Sequence, residues 1–106
     1  MIKERLQQMK VCKFLPEYEN LYYGIAYDIG FINSDMCDDL KNIQIKKAEI
    51  MKKGVKSIAE FDREFEQTEE FITHKKYKYE IEGLEKMMAG VRVKIESLKA
   101  ETRGQY

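Results

Sequence analysis

Tyr77-Lys78-Tyr79-Glu80-Ile81-Glu82-Gly83-Leu84-Glu85-Lys86-Met87-Met88-Ala89-Gly90-Val91-Arg92-Val93-Lys94-Ile95-Glu96-Ser97-Leu98 sets Tyr77, Ile81, Leu84, Met88, Val91, Ile95 and Leu98 apart in alternating steps of four and three. This is the repeat of a helix that lays one apolar edge against another helix, with Ile81, Met88 and Ile95 at a and the other four at d. Upstream, Ile58, Phe61, Phe65, Thr68 and Ile72 also step by three and four, but carrying that stripe forward lands two residues out of register. On an α-helix two residues swing the apolar face by about 200°. The reading is therefore a hairpin turned near Thr73-His74-Lys75-Lys76, or one long helix over 58–102 that shows different faces to different neighbours.

Working outward, Lys52-Lys53-Gly54 is a helix end, with cations on the negative pole of the dipole and a glycine for a left-handed residue. Ser57-Ile58-Ala59-Glu60 is a capping box that starts the next helix. Before it, 35–53 is a helix opened by Asn33-Ser34-Asp35. Leu40, Ile43, Ala48, Ile50, Met51 and Val55 fill one arc of that helix and lysines another, with Ile45 and Lys47 as misfits. Residues 2–14 form an N-terminal helix stopped by Leu15-Pro16, since proline disfavours α geometry in the residue before it. Pro16 then opens a helix over 18–32 carrying Tyr18, Leu21, Tyr22, Ile25, Ile29 and Ile32. A strand competes there, because Ile25, Tyr27, Ile29 and Phe31 alternate with small or polar residues. The expected fold is all-α: four or five helices in a small bundle with a long C-terminal helix or helical hairpin, one domain over the 106 residues.

Composition narrows the function. Nineteen basic residues balance nineteen acidic ones, so no global field draws the chain to nucleic acid or anionic lipid. Charge is nevertheless blocked along the sequence: residues 15–40 hold Glu17, Glu19, Asp28, Asp35, Asp38 and Asp39 and no base, while 41–57 hold six lysines and Glu49. Either the blocks are helices paired with neighbours of opposite sign, or they are chance clustering in a charge-rich chain. No run approaches the ~20 apolar residues of a membrane span, and the charged and amide-rich start lacks a secretory apolar core, so the expectation is a cytoplasmic protein without membrane attachment. In that compartment Cys12 and Cys37 are expected as free thiols.

No constellation for catalysis, metal or cofactor stands out. His74 is the single histidine, with no nucleophile and orienting acid set up near it. Glu70 shares its helical face, but Glu60, Glu64, Glu66, Glu69 and Glu70 lack the Glu-x-x-His repeat of di-iron bundles. The six glycines are too scattered for a phosphate loop. The sequence is read as a non-enzyme with no cofactor.

Binding surfaces remain. The stripe Tyr77, Ile81, Leu84, Met88, Val91, Ile95 and Leu98 is a candidate partner or dimer interface. A parallel homodimer would set Glu80 against Glu85 and Lys94 against Lys99, so an antiparallel or heterotypic pairing is favoured. The competing reading buries the stripe in the chain's own core, against residues 35–72. Tyr22, Tyr23, Tyr27 and Phe31 form a second candidate surface for a protein, since base stacking would want basic neighbours that 15–40 lack. An alternative function, nucleic-acid binding, would use Lys41, Lys46, Lys52, Lys53 and Lys56 for phosphate contacts, although the face has no arginine forks and carries Glu49 in its midst.

Tyr77-Lys78-Tyr79-Glu80, Leu84-Glu85 and Leu98-Lys99-Ala100-Glu101-Thr102-Arg103 resemble the closing helix of short coiled-coil early proteins encoded by bacteriophages. The likeness covers about 30 residues and consists of an amphipathic helix with a basic end. It implies a small non-catalytic adaptor or inhibitor that works by binding a protein, such as a host or defence nuclease, in the host cytoplasm. No individual residue role carries over from it.

Overall fold

A computed structural model describes residues 1–54 and 57–104. Helix α1 spans Ile2–Val11, α2 Leu15–Lys52, α3 Ile58–Glu66 and α4 Glu69–Gly104. Helix takes up 91% of the structure, and no strand occurs among the described residues, so the fold is all-α with a long C-terminal helix.

Several local signals act as their chemistry dictates. Gly54 has φ +79°, and its N–H donates to the Met51 carbonyl at 3.1 Å, closing α2. Ser57 Oγ accepts from the Glu60 N–H at 3.1 Å and starts α3. Pro16 sits in the first turn of α2, where Glu17 Oε1 accepts the Phe14 N–H at 3.1 Å. It does not stop the helix expected over 2–14, because α1 already ends at Val11 with Cys12 extended at ψ 134°, and Leu15, the residue before the proline, is the first of α2. Val55 and Lys56 lie outside the described residues.

Residues 25–31 are helix, as expected for 18–32, because the spacing of Leu21, Ile25 and Ile32, all buried, wins over the competing alternation. Two further boundaries are corrected. Asn33-Ser34-Asp35 does not open a helix: α2 runs through it as one 38-residue element. Asn33 and Ser34 point into solvent, where their modest helix propensity costs only ~0.5 kcal/mol each and does not stop propagation. The chain also does not break at 73–76. The interruption comes earlier, where α3 ends at Glu66 and Thr68 Oγ1 donates to the Phe65 carbonyl at 2.6 Å while accepting the Phe71 N–H at 3.2 Å. Thr68 thus ends one helix and caps the next, with Glu69 and Glu70 in the positive first turn of α4.

The chain divides into two compact units, a terminal one (Met1–Phe31 with Glu80 onward) and a central one (Ile32–Tyr79). In the terminal unit α1 packs with residues 15–31 of α2 and 80–104 of α4. Its core is Tyr18, Leu21 and Ile25 from α2 with Leu84, Met87 and Val91 from α4. Helix α1 buries no residue fully. It is held by Arg5, whose Nε donates to Asp28 Oδ2 at 2.6 Å and whose Nη2 donates to Asp28 Oδ1 at 3.1 Å and to the Gly24 carbonyl at 3.2 Å. Two glycines permit the close approach: a Cβ at Gly24 would lie 2.5 Å from Arg5 Nη1, and one at Gly83 would lie 2.8 Å from Ile2 Cδ1.

In the central unit the buried apolar residues are Ile32, Ile43 and Ile50, all from α2. Phe65 and Phe71 meet edge to face with centroids 5.6 Å apart, and Lys47 Nζ stands 4.9 Å from the Phe65 centroid. The expected arc is narrowed here. Leu40, Ala48 and Met51 are exposed, because the buried seam is a single line through Ile43 and Ile50, seven residues apart.

Candidate functional site

Two sequence-marked surfaces converge in the terminal unit. Tyr22, on α2, lines a shallow groove of ≈ 220 Å³ with Glu85, Met88, Ala89 and Arg92 of α4. A second groove of ≈ 260 Å³ continues from Tyr22 and Arg92 to Glu19, Tyr23, Ile95, Glu96 and Lys99. Met88 therefore shares a groove with Tyr22, and Ile95 one with Tyr22 and Tyr23, although 66 to 73 positions separate them in the sequence. The floor is apolar and aromatic, and the rim carries both signs of charge.

The rest of the C-terminal stripe divides. Leu84 and Val91 have no exposed surface, so an interface through them would require taking the core apart; they leave the candidate surface. Ile81 and Leu98 are half-buried. Tyr77, also half-buried, falls in the central unit. Leu84 and Val91 belong to the core of the terminal unit, with Tyr18, Leu21 and Ile25 of α2. Met87 joins the core in place of Met88, which the strict four-three spacing had set inward. Arg92 lies outside the expected stripe, yet the sequence carries its signal: Met88, Arg92, Ile95 and Lys99 follow in steps of four, three and four along the flank.

Along the outer edge of α2, Tyr23 is 68% exposed, Tyr27 71% and Phe31 51%, with the Tyr27 and Phe31 rings stacked at 6.4 Å. Tyr22 and Tyr23 meet edge to face at 5.9 Å. Such aromatic side chains lose little conformational entropy when a partner covers them.

The lysine face has a different setting. Lys41, Lys52 and Lys53 are exposed, Lys46 pairs with Glu49 at 3.5 Å, and Lys56 lies outside the described residues. Lys46 and Lys53 line a cleft of the central unit with Glu64, Glu69 and Glu70. A phosphate there would meet three carboxylates, which sets this face against a phosphate track. His74 is half-buried, and its Nδ1 has no hydrogen-bond partner; among the described residues no three His, Cys, Asp or Glu side chains group as metal ligands. Cys12 and Cys37 are free thiols. Burial, assisted by Glu17, pushes the Cys12 thiol above its ordinary range.

No protein-family model, curated protein or solved structure matches the chain. No helix among the described residues is long and apolar enough to cross a membrane.

Proposed function

We propose that the chain is a non-catalytic protein-binding module, a small adaptor or inhibitor, and that it takes an amphipathic helix of its partner in the groove between α2 and α4 of the terminal unit. The observation that carries this reading is that Tyr22 and Arg92 line two solvent-open grooves in common, one with Met88 and the other with Ile95. Tyrosine and arginine beside an apolar floor are the side chains on which binding energy concentrates. The mixed rim of Glu19, Glu85, Glu96, Arg92 and Lys99 then fixes register and orientation rather than affinity. In its finer form, suggested by the phage-protein resemblance, the partner is a host or defence nuclease in the host cytoplasm, and binding blocks it.

The test is retention of a bacterial lysate on immobilised chain, compared with Met88→Glu and Arg92→Ala variants. One protein held by the native chain and released by both variants supports the reading, and that protein, purified, should bind with Kd raised ~10-fold or more by either change. A native chain that holds nothing, or variants that bind as the native chain does, would refute it. Inhibition of the captured protein's nuclease activity tests the finer form separately.

A further inference from the structure

The two units treat an inward-facing aspartate differently. In the terminal unit Asp28 is buried, and Arg5 closes on both of its carboxylate oxygens. In the central unit Ile32, Met36, Asp39, Ile43, Lys46 and Ile50 follow along α2 in steps of four and three, and none of them is exposed. Asp39 Oδ1 accepts from Asn42 Nδ2 at 3.1 Å, but Oδ2 is cut off from solvent and has no hydrogen-bond partner. Asp39 lines a cleft with Thr73 of α4, and the next residue, His74, carries a second such atom, Nδ1. Among the described residues these are the two buried side-chain polar atoms without a partner, and both fall in the central unit.

Little apolar burial offsets them. Ile32, Ile43 and Ile50 all come from α2, while no residue of α3 is fully buried and none over 69–79 of α4. The terminal core, by contrast, draws on both helices, with Tyr18, Leu21 and Ile25 from α2 and Leu84, Met87 and Val91 from α4. A polar atom denied both water and a partner weakens the closed state roughly 5- to 100-fold, and rehydration on opening recovers that loss. We infer that the central unit is an opening device built into the fold: α2 and α4 part there, with Asp39 and His74 regaining water, while the terminal core stays closed. Asp39 and His74 set the opening equilibrium, and the isoleucines of α2 oppose it. None of these residues lines the Tyr22–Arg92 grooves, so the opening stands apart from what those grooves bind.

Amide exchange of the full chain tests this. Amides over 39–50 and 70–77 should exchange together, with protection at least ~100-fold below that over 18–25 and 84–91. Val91→Ala should lower protection over 18–25 and 84–91 ~10-fold or more and leave 39–50 and 70–77 unchanged, because the central amides exchange without opening the terminal core. Asp39→Leu with His74→Leu removes both stranded atoms and should raise central protection ~10-fold or more. Asp38→Leu, at an exposed neighbouring position, makes the same gain in helix propensity and should change it no more than ~3-fold. The Val91→Ala comparison stands by itself if the leucine pair disturbs the helices. Equal protection in the two groups would overturn the inference. So would a fall in both groups on Val91→Ala, or a folded double variant whose central amides exchange no more slowly than those of Asp38→Leu.

Discussion

Replacing Arg5 by alanine tests what attaches α1, and its cost can be worked from the geometry. The guanidinium makes two bonds to Asp28, one to the Gly24 carbonyl, and one through Nη1 to Gln8 Oε1 at 2.8 Å. Its charge is reinforced by that hydrogen-bonded carboxylate, which raises the Arg5 pKa further above its already basic value. Asp28 is 7% exposed in the native chain, and without Arg5 it loses its hydrogen-bonded counter-charge, which costs ~3–5 kcal/mol if the helices stay in place. The helix has a cheaper course. Ile2, Met9 and Cys12 are only half-buried, so their burial holds α1 by an amount on the order of 2–4 kcal/mol. Undocking α1 rehydrates Asp28, and the loss is capped near that figure. Asp28→Ala should cost less, ~1–2 kcal/mol, because Arg5 is 23% exposed and its flexible stem can turn the guanidinium into water.

The assay is urea unfolding followed at 222 nm, together with amide exchange over residues 1–14. Arg5→Ala should lower stability by ~2–4 kcal/mol, the double variant should show ~1–2 kcal/mol of coupling, and α1 amides should exchange faster in Arg5→Ala while Leu21 and Val91 stay protected. Equal costs for the two single changes, strict additivity, or an α1 no less protected than before would refute the reasoning.

Glycine substitutions give opposite signs at two sites of α2: Gly24→Ala should destabilise because its Cβ meets the pinned guanidinium, whereas Gly30→Ala, with nothing within 4 Å, should stabilise by ~0.5–1 kcal/mol in the same unfolding assay. Thr68→Ala removes the cap between α3 and α4 and should cost ~1 kcal/mol, with faster amide exchange at Phe71 as the local readout. Alkylation by iodoacetamide at pH 8 should modify exposed Cys37 before Cys12, whose raised pKa keeps it protonated; because that folded pKa lies above the unfolded one, the associated stability is present at neutral pH and is lost as pH rises through the folded value. Val91→Asp buries a carboxylate at a position with no exposure and should cost more than ~4 kcal/mol by thermal unfolding, whereas Ile95→Asp, half-buried at the groove, should leave most of the stability intact.

What could be read in the sequence was what depends on neighbours a few residues away. Gly54, the Ser57 box and Pro16 act through bonds within one turn, and the four-three stripe reflects one helix surface. The apolar period also marked Leu84 and Val91 as residues that something must cover, without deciding between a partner and the chain's own core. The failures share a cause. The two-residue slip allows either a turn at 73–76 or one long helix with two faces; α4 is unbroken through 73–76, and the stripes serve different units, Phe65 and its neighbours the central one, Ile81 onward the terminal one. The interruption lies instead at Thr68, whose threonine followed by two glutamates is a cap signal in its own right. Asp28 was unreadable as a buried residue because its partner stands 23 positions away, and no local pattern announces such a pair.

A heptad stripe cannot say which of its members face the chain's own core and which face a partner, because both uses demand the same side chains at the same spacing. The division here is made by α1 and α2. They cover Leu84, Met87 and Val91 and leave Met88 and Ile95 at a border where Tyr22 supplies the opposite wall. A helix of alternating threes and fours thus spends its centre on stability and one flank on recognition. A substitution one turn along α4, from Val91 to Ile95, accordingly moves its effect from whether the chain folds to what the folded chain can hold.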